Sequence, residues 1–144
     1  MKKLIAITLA LFAVSLSAQA GNKKAITVNQ LPAAAQQFLA KNFAGHKVAI
    51  AKEDKGLFST TYEVVFTNLD EVEFDSSGQW KEIECKNSHV PGSVMPEAIN
   101  RYVETNYPNV KVKSIEREPH KYEVKLKNKV ELTFDSQFNI IDID

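Results

Sequence analysis

Two stretches of the chain carry apolar residues at helical spacing. Leu31, Ala35, Phe38, Leu39 and Asn42 share one face after Pro32, and Met95, Ile99, Tyr102, Val103 and Asn106 share one after Pro96. Proline suits a first helical turn, where its missing N–H has no partner to lose. Gly45 and Pro108 supply the stops. After each helix the period shortens to two: Tyr62, Val64 and Phe66 alternate with Glu63, Val65 and Thr67, and Tyr122, Val124 and Leu126 alternate with Glu123, Lys125 and Lys127. That alternation predicts antiparallel strands with one covered and one wet face. Strands are expected near 47–53, 61–67, 70–75 and 79–85, and again near 110–116, 121–127, 130–135 and 139–143.

The two halves resemble each other. Residues 62–84 and 122–144 share nine identities in 23 ungapped positions, among them Tyr-Glu-Val and Phe-Asp-Ser; upstream, Leu31-Pro32, Asn42-Phe43 and Lys47-Val48 recur 64 residues later as Met95-Pro96, Asn106-Tyr107 and Lys111-Val112. The change of offset places four extra residues in the first half, between Glu53 and Tyr62. The expected fold class is therefore α+β: two tandem repeats, each one helix plus a four-stranded antiparallel sheet, forming one continuous sheet with the helices on one face. The domain reading is residues 21–86, a polar linker 87–93, and residues 94–144.

Asp75-Ser76-Ser77-Gly78 suits a type I turn followed by a left-handed glycine. That register opposes Phe74 with Trp80 and Glu73 with Lys81, and avoids setting Glu73 against Glu82. Phe138 stands where Gly78 does, so the second hairpin is expected to turn differently, with Asn139 as the left-handed residue.

The N-terminus reads as an export signal: Lys2 and Lys3, an apolar run from Leu4 to Val14, and Ala18-Gln19-Ala20 as a small-x-small cut site. The run is shorter than the ~20 residues that cross a bilayer. Cleavage near Ala20 predicts a periplasmic or secreted protein with no stable membrane insertion. The mature chain would keep 16 basic against 18 acidic residues, a net charge of −2. With no basic excess, nucleic acid is not an expected partner. Cys85 stands alone and can form no internal disulfide, so a buried small hydrophobe is expected there.

Leu-Pro at a helix start, an aromatic with Gly or Pro at its end, Tyr62-Glu63-Val64, an acidic hairpin strand and Phe74-Asp75-Ser76-Ser77-Gly78-Gln79-Trp80 follow in that order. Together they resemble the PepSY-like, β-lactamase-inhibitor-like (BLIP-like) exported proteins common in Gram-negative gut bacteria. The resemblance spans about Val28 to Asp144. It implies tandem helix-plus-four-strand units and a binding or inhibitory role, the latter by fold-level analogy.

No catalytic motif accompanies the fold. His46, His89 and His120 sit in predicted loops or strand edges without metal spacing, and neither a nucleophile elbow nor a phosphate loop is present. The expectation is a non-enzymatic binding module without cofactor, whose partner is a protein such as a hydrolase. The partner-binding candidates are Lys55, Leu57 and Phe58 in the four-residue insertion, with Glu63, Val65 and Lys81 on the uncovered face, which also takes Ile83, Lys125 and Lys127. Aromatics on loops anchor partners, yet Leu57 or Phe58 can instead fold back and cap the core, and that placement is expected. The alternative is an ion-responsive protein binding Ca²⁺ through the hairpin carboxylates Asp70, Glu71, Glu73 and Asp75.

Overall fold

The computed structural model describes residues 22–144; the predicted export signal and its cut after Ala20 lie outside the described residues. The fold is α+β, with two α-helices and one open antiparallel sheet of nine strands in sequential order. Strand β1 (Lys23–Ile26) precedes α1 (Ala33–Asn42); β2 (Val48–Lys55), β3 (Thr60–Phe66), β4 (Glu71–Phe74) and β5 (Trp80–Glu84) follow. After α2 (Glu97–Asn106) come β6 (Val112–Glu118), β7 (Lys121–Leu126), β8 (Glu131–Asp135) and β9 (Ile140–Ile143). β1 was not expected: its sequence, Lys-Lys-Ala-Ile, is too short and polar to show a period, and only pairing with β2 defines it.

Both helices lie on one face. One row across the sheet, Val64–Val72–Ile83–Ile115–Val124–Leu132, is fully buried. Leu31, Ala35, Leu39 and Phe43 from the first helical segment, and Met95, Ile99 and Val103 from the second, pack on that face in a single core. Phe38 meets Phe74 edge-on at 5.7 Å, and Tyr102 meets Phe134 at 5.3 Å. Asn42 and Asn106, read as part of the stripes, instead fold back and donate their side-chain amides to the carbonyls of Phe38 and Tyr102, one turn earlier in each helix.

Four β-bulges interrupt the ladders, at Ala49, Lys81, Lys113 and Ile141. Each lies between two apolar residues three apart: Val48 and Ala51, Trp80 and Ile83, Val112 and Ile115, Ile140 and Ile143. Strict alternation would turn one of each pair outward, and an extra residue keeps both on the helix-covered side, although Ile143, at the sheet edge, stays half exposed. This overturns two expectations. Glu73 opposes Glu82, with Lys81 bulged out, and Ile83 belongs to the core rather than the uncovered face.

The β3–β4, β4–β5, β7–β8 and β8–β9 hairpins each place a left-handed residue in the turn. Gly78 is left-handed at φ 91°, and the Asp75 carboxylate accepts from the N–H groups of Ser77 and Gln79. The second hairpin does not turn differently: Phe138 itself takes φ 69°, and Asp135 accepts from Gln137 and Asn139 in the same way. Contact between Phe138 and Tyr122, ring centres 5.4 Å apart, helps to hold a bulky residue there. Leu69 and Lys129 are the left-handed residues of the β3–β4 and β7–β8 turns.

Candidate functional site

The four-residue insertion lengthens the β2–β3 hairpin. Lys55 pairs with Thr60, and the Gly56 N–H donates to the Ser59 carbonyl at 2.9 Å, leaving Leu57 and Phe58 as a two-residue tip. The β6–β7 hairpin closes one rung earlier, between Glu118 and Lys121, over Pro119-His120. Leu57 is 93% exposed and Phe58 99% exposed. The expectation that one of them caps the core is overturned: the extra rung carries the tip beyond reach of the helices. Lys55 stands at the base of the tip, exposed, and its N–H donates to the Asn22 carbonyl, tying the hairpin to β1.

The remaining partner-binding candidates lie on the sheet face opposite the helices, away from the tip. Val65 is buried rather than wet, on the rung Ile50–Val65–Glu71–Glu84–Ser114. Glu63 forms a 3.1 Å ion pair with Lys52, itself nearly buried. Lys81 is partly exposed at its bulge.

This face is electrostatically frustrated. Burial, the nearby Glu63 charge and a hydrogen bond to Glu63 push the Glu71 carboxyl from 4.5 up to about 8, with Glu84 adding and Lys86 opposing. Lys86 Nζ stands 3.9 Å from Glu71 Oε2, too far for a hydrogen bond. Glu71 Oε2, Glu84 Oε1 and Lys86 Nζ have no hydrogen-bond partner among the described residues.

The four metal-ligand candidates are not brought together. Asp70 and Asp75 flank opposite ends of β4, and both are occupied. Asp70, fully buried, accepts from Asn68 Nδ2 at 2.9 Å, the Asn87 N–H at 3.2 Å and Ser88 Oγ at 2.5 Å, with His46 Nε2 at 3.7 Å. Asp75 caps its own turn: desolvation is the largest single influence and raises its carboxyl, but hydrogen bonds from Ser77 and Gln79 with the Arg117 charge together outweigh it and hold the group below the usual carboxylate range. A different trio does converge: carboxylate oxygens of Glu116, Glu118 and Glu123 lie within 4.8 Å of one another. Sequence distance hid it, although Glu116 and Glu123 are cross-strand partners in the β6–β7 hairpin. Lys121 Nζ already contacts this trio, 2.8 Å from Glu123 and 3.8 Å from Glu118.

Asp70, His46 and Ser88 are the residue types of a hydrolytic triad in the wrong order. Ser88 donates straight to the carboxylate, so the imidazole is not placed to take its proton. The group instead ties the 87–88 segment to the β3–β4 turn. His89 and His120 are exposed and apart from His46. Cys85 is buried, and burial pushes its thiol up to about 12, leaving no thiolate for attack at neutral pH.

No helix among the described residues is long and apolar enough to cross a membrane. No functionally curated protein matches the chain. Solved structures do. A protein described as a putative periplasmic protein of the DUF2874 family from Bacteroides vulgatus is 53% identical, with TM-score 0.83, over 85% of this chain and 96% of its own. A putative calcium-regulated periplasmic protein from Bacteroides thetaiotaomicron is 51% identical, with the same score and coverage. A second B. vulgatus protein, described as a putative periplasmic protein of unknown function, is 39% identical, with TM-score 0.79, over 85% and 98%. Residues 60–142 match the family described as "Putative beta-lactamase-inhibitor-like, PepSY-like", and the chain belongs to this PepSY-like family.

Proposed function

We propose that the chain is a non-enzymatic periplasmic binding module, a duplicated helix-plus-four-strand unit that docks another protein through the tip of its β2–β3 hairpin. The exposure of Leu57 and Phe58 carries this reading. Two large apolar side chains held side by side on a paired hairpin are the kind of anchor that fills a partner's pocket. Periplasmic placement rests on the descriptions of the relatives and on the export signal. Duplication is supported by registers that repeat at an offset of 60: Tyr62 with Phe74 and Tyr122 with Phe134, Val64 with Val72 and Val124 with Leu132. The tip belongs to the first half alone. A secreted hydrolase is the partner class suggested by the family description, and the action would be occlusion without chemistry.

The test is photo-crosslinking from position 58 in envelope extract, followed by binding measurements on the identified protein. Phe58→Ala should weaken a micromolar complex by about thirtyfold, a loss near 2 kcal/mol. The fold should not change, because the side chain is almost wholly in solvent. Failure to find a specific partner, or unchanged affinity in the variant, sinks the reading.

A second reading is favoured by the Glu116–Glu118–Glu123 trio together with the relative described as calcium-regulated: Ca²⁺ binds these carboxylates and displaces Lys121. Calorimetry should then show submillimolar binding that Glu123→Gln removes. Silence at millimolar Ca²⁺ ends it.

A further inference from the structure

The two ends of the sheet are complementary to each other. In the middle, β5 takes up β6 antiparallel with Glu82, Ile83 and Glu84 opposite Glu116, Ile115 and Ser114. The Cys85 N–H donates to the Lys113 carbonyl, so by the alternation of antiparallel ladders Ile83 and Ile115 also exchange their bonds. At the first edge, β1 covers β2 in the same manner. Ile26 faces Ala51 and Ala25 faces Lys52, and Lys55 donates to Asn22, which again turns the Ile26 backbone inward. Sixty-four residues separate Ala51 from Ile115 and Lys52 from Glu116, so β1 occupies on β2 the place that β5 occupies on β6.

β9 is the strand 60 residues beyond β5, with Asp142 and Ile143 in the places of Glu82 and Ile83. Among the described residues nothing pairs with its outer edge. Glu131 and Asp144 exchange both backbone bonds, which turns the N–H and C=O of Ile143 outward. Ile141 and Ile143 are 58% and 52% exposed, whereas Ile83 is fully buried under β6. Neither Lys nor Pro protects the β9 edge, while β1 carries Lys23 and Lys24 at the opposite one.

We infer that the free edge of β9 docks on the β2 edge of a second copy of this chain, and that β1 is the intramolecular strand that keeps that edge covered. In the register of β5 on β6, Ile143 of one copy lies on Ala51 of the next and Asp142 faces Lys52. That opposite-charge pair takes the place of the like-charge Glu82–Glu116 pair inside the chain. The contact is head-to-tail rather than two-fold, so each copy offers one edge and receives another, and assembly grows with concentration once β1 leaves. β1 is suited to leave: it has four residues, and only Ile26 packs against the core.

The test uses the full chain. Lys24→Pro removes an N–H that points at β2. It should lower the apparent dissociation constant for self-association at least tenfold in sedimentation equilibrium. Adding Ile143→Pro, which removes only an outward N–H, should restore the monomer. A folded Lys24→Pro protein that stays monomeric at several hundred micromolar overturns the inference, as does assembly that survives Ile143→Pro. If Lys24→Pro does not fold, oxidised mixtures of Lys52→Cys and Asp142→Cys chains decide. The two positions lie seven strands apart in one molecule, roughly 30 Å, so a disulfide between them joins two copies. A mixed dimer supports the docking, and its absence at high concentration refutes it.

Discussion

Glu71 makes stability depend on pH in a direction opposite to most carboxylates. Its pKa rises from 4.5 to about 8 on folding, because it is buried beside Glu63 and hydrogen-bonded to it. The folded chain therefore holds a proton that the unfolded chain releases across this window. The stability associated with that proton is fully present below about pH 4.5 and is lost as pH rises through about 8. A shift of that size corresponds to roughly 5 kcal/mol at most. Glu63 and Lys86 will rearrange as the charge appears, so a loss of about 2–3 kcal/mol is the working value.

The perturbation is Glu71→Gln, which keeps shape and hydrogen bonding and removes the titration. Urea unfolding of both proteins at pH 5, 7 and 9 measures the difference. The variant should exceed the native chain by less than about 1 kcal/mol at pH 5 and by about 2–3 kcal/mol at pH 9. Comparing the two proteins cancels groups such as Asp75 and Asp135, whose pKa values are held low by hydrogen bonds in their turns and which act only in acid. A constant difference across the three pH values would refute the assignment of the proton to Glu71.

Two further substitutions probe the turns. Asp70→Ala leaves Asn87, Ser88 and Asn68 without their buried acceptor and should cost about 3–5 kcal/mol in urea unfolding; a loss under 1 kcal/mol would mean the tie contributes little. Lys129→Gly relieves an exposed left-handed residue at φ 76° and should raise stability by about 1 kcal/mol in thermal unfolding.

The helices and the strands they cover were legible because their apolar spacing is set by burial on one face: Ala35, Leu39, Ile99 and Val103 are buried as their periods require. Strand phase was harder to read. Trp80 and Ile83 are three apart, a spacing that fits neither a helix of this length nor a regular strand, and it recurs at each bulge. Taken as a signal, it would have placed Ile83 inside and Glu82 opposite Glu73. The left-handed Phe138 gave no such sign, since its backbone is helped by the Tyr122 ring from another strand. The sequence marks the hairpin tip as a candidate anchor but does not say whether it turns toward the core or into solvent. Composition says that Leu57 and Phe58 are apolar; only the length of the hairpin says where they end up.

If the halves are copies of one unit, the features that differ between them are where a specific role can reside. The shared parts, helix stripes, bulges and Asp-capped turns, are what any copy needs to fold. Three of the differences bear on surfaces or connections. The tip at Leu57 and Phe58 has Pro119-His120 in its place. Asp70, which ties the 87–88 segment, has Val130 in its place. β5 is covered by β6, whereas among the described residues nothing covers the outer edge of β9. The first presents apolar surface, the second fixes how one half follows the other, and the third leaves a ladder edge free. None supplies an activated nucleophile or a positioned base. On that reading the differences between the halves lie in surfaces and edges, the kind of feature on which the proposed docking would depend.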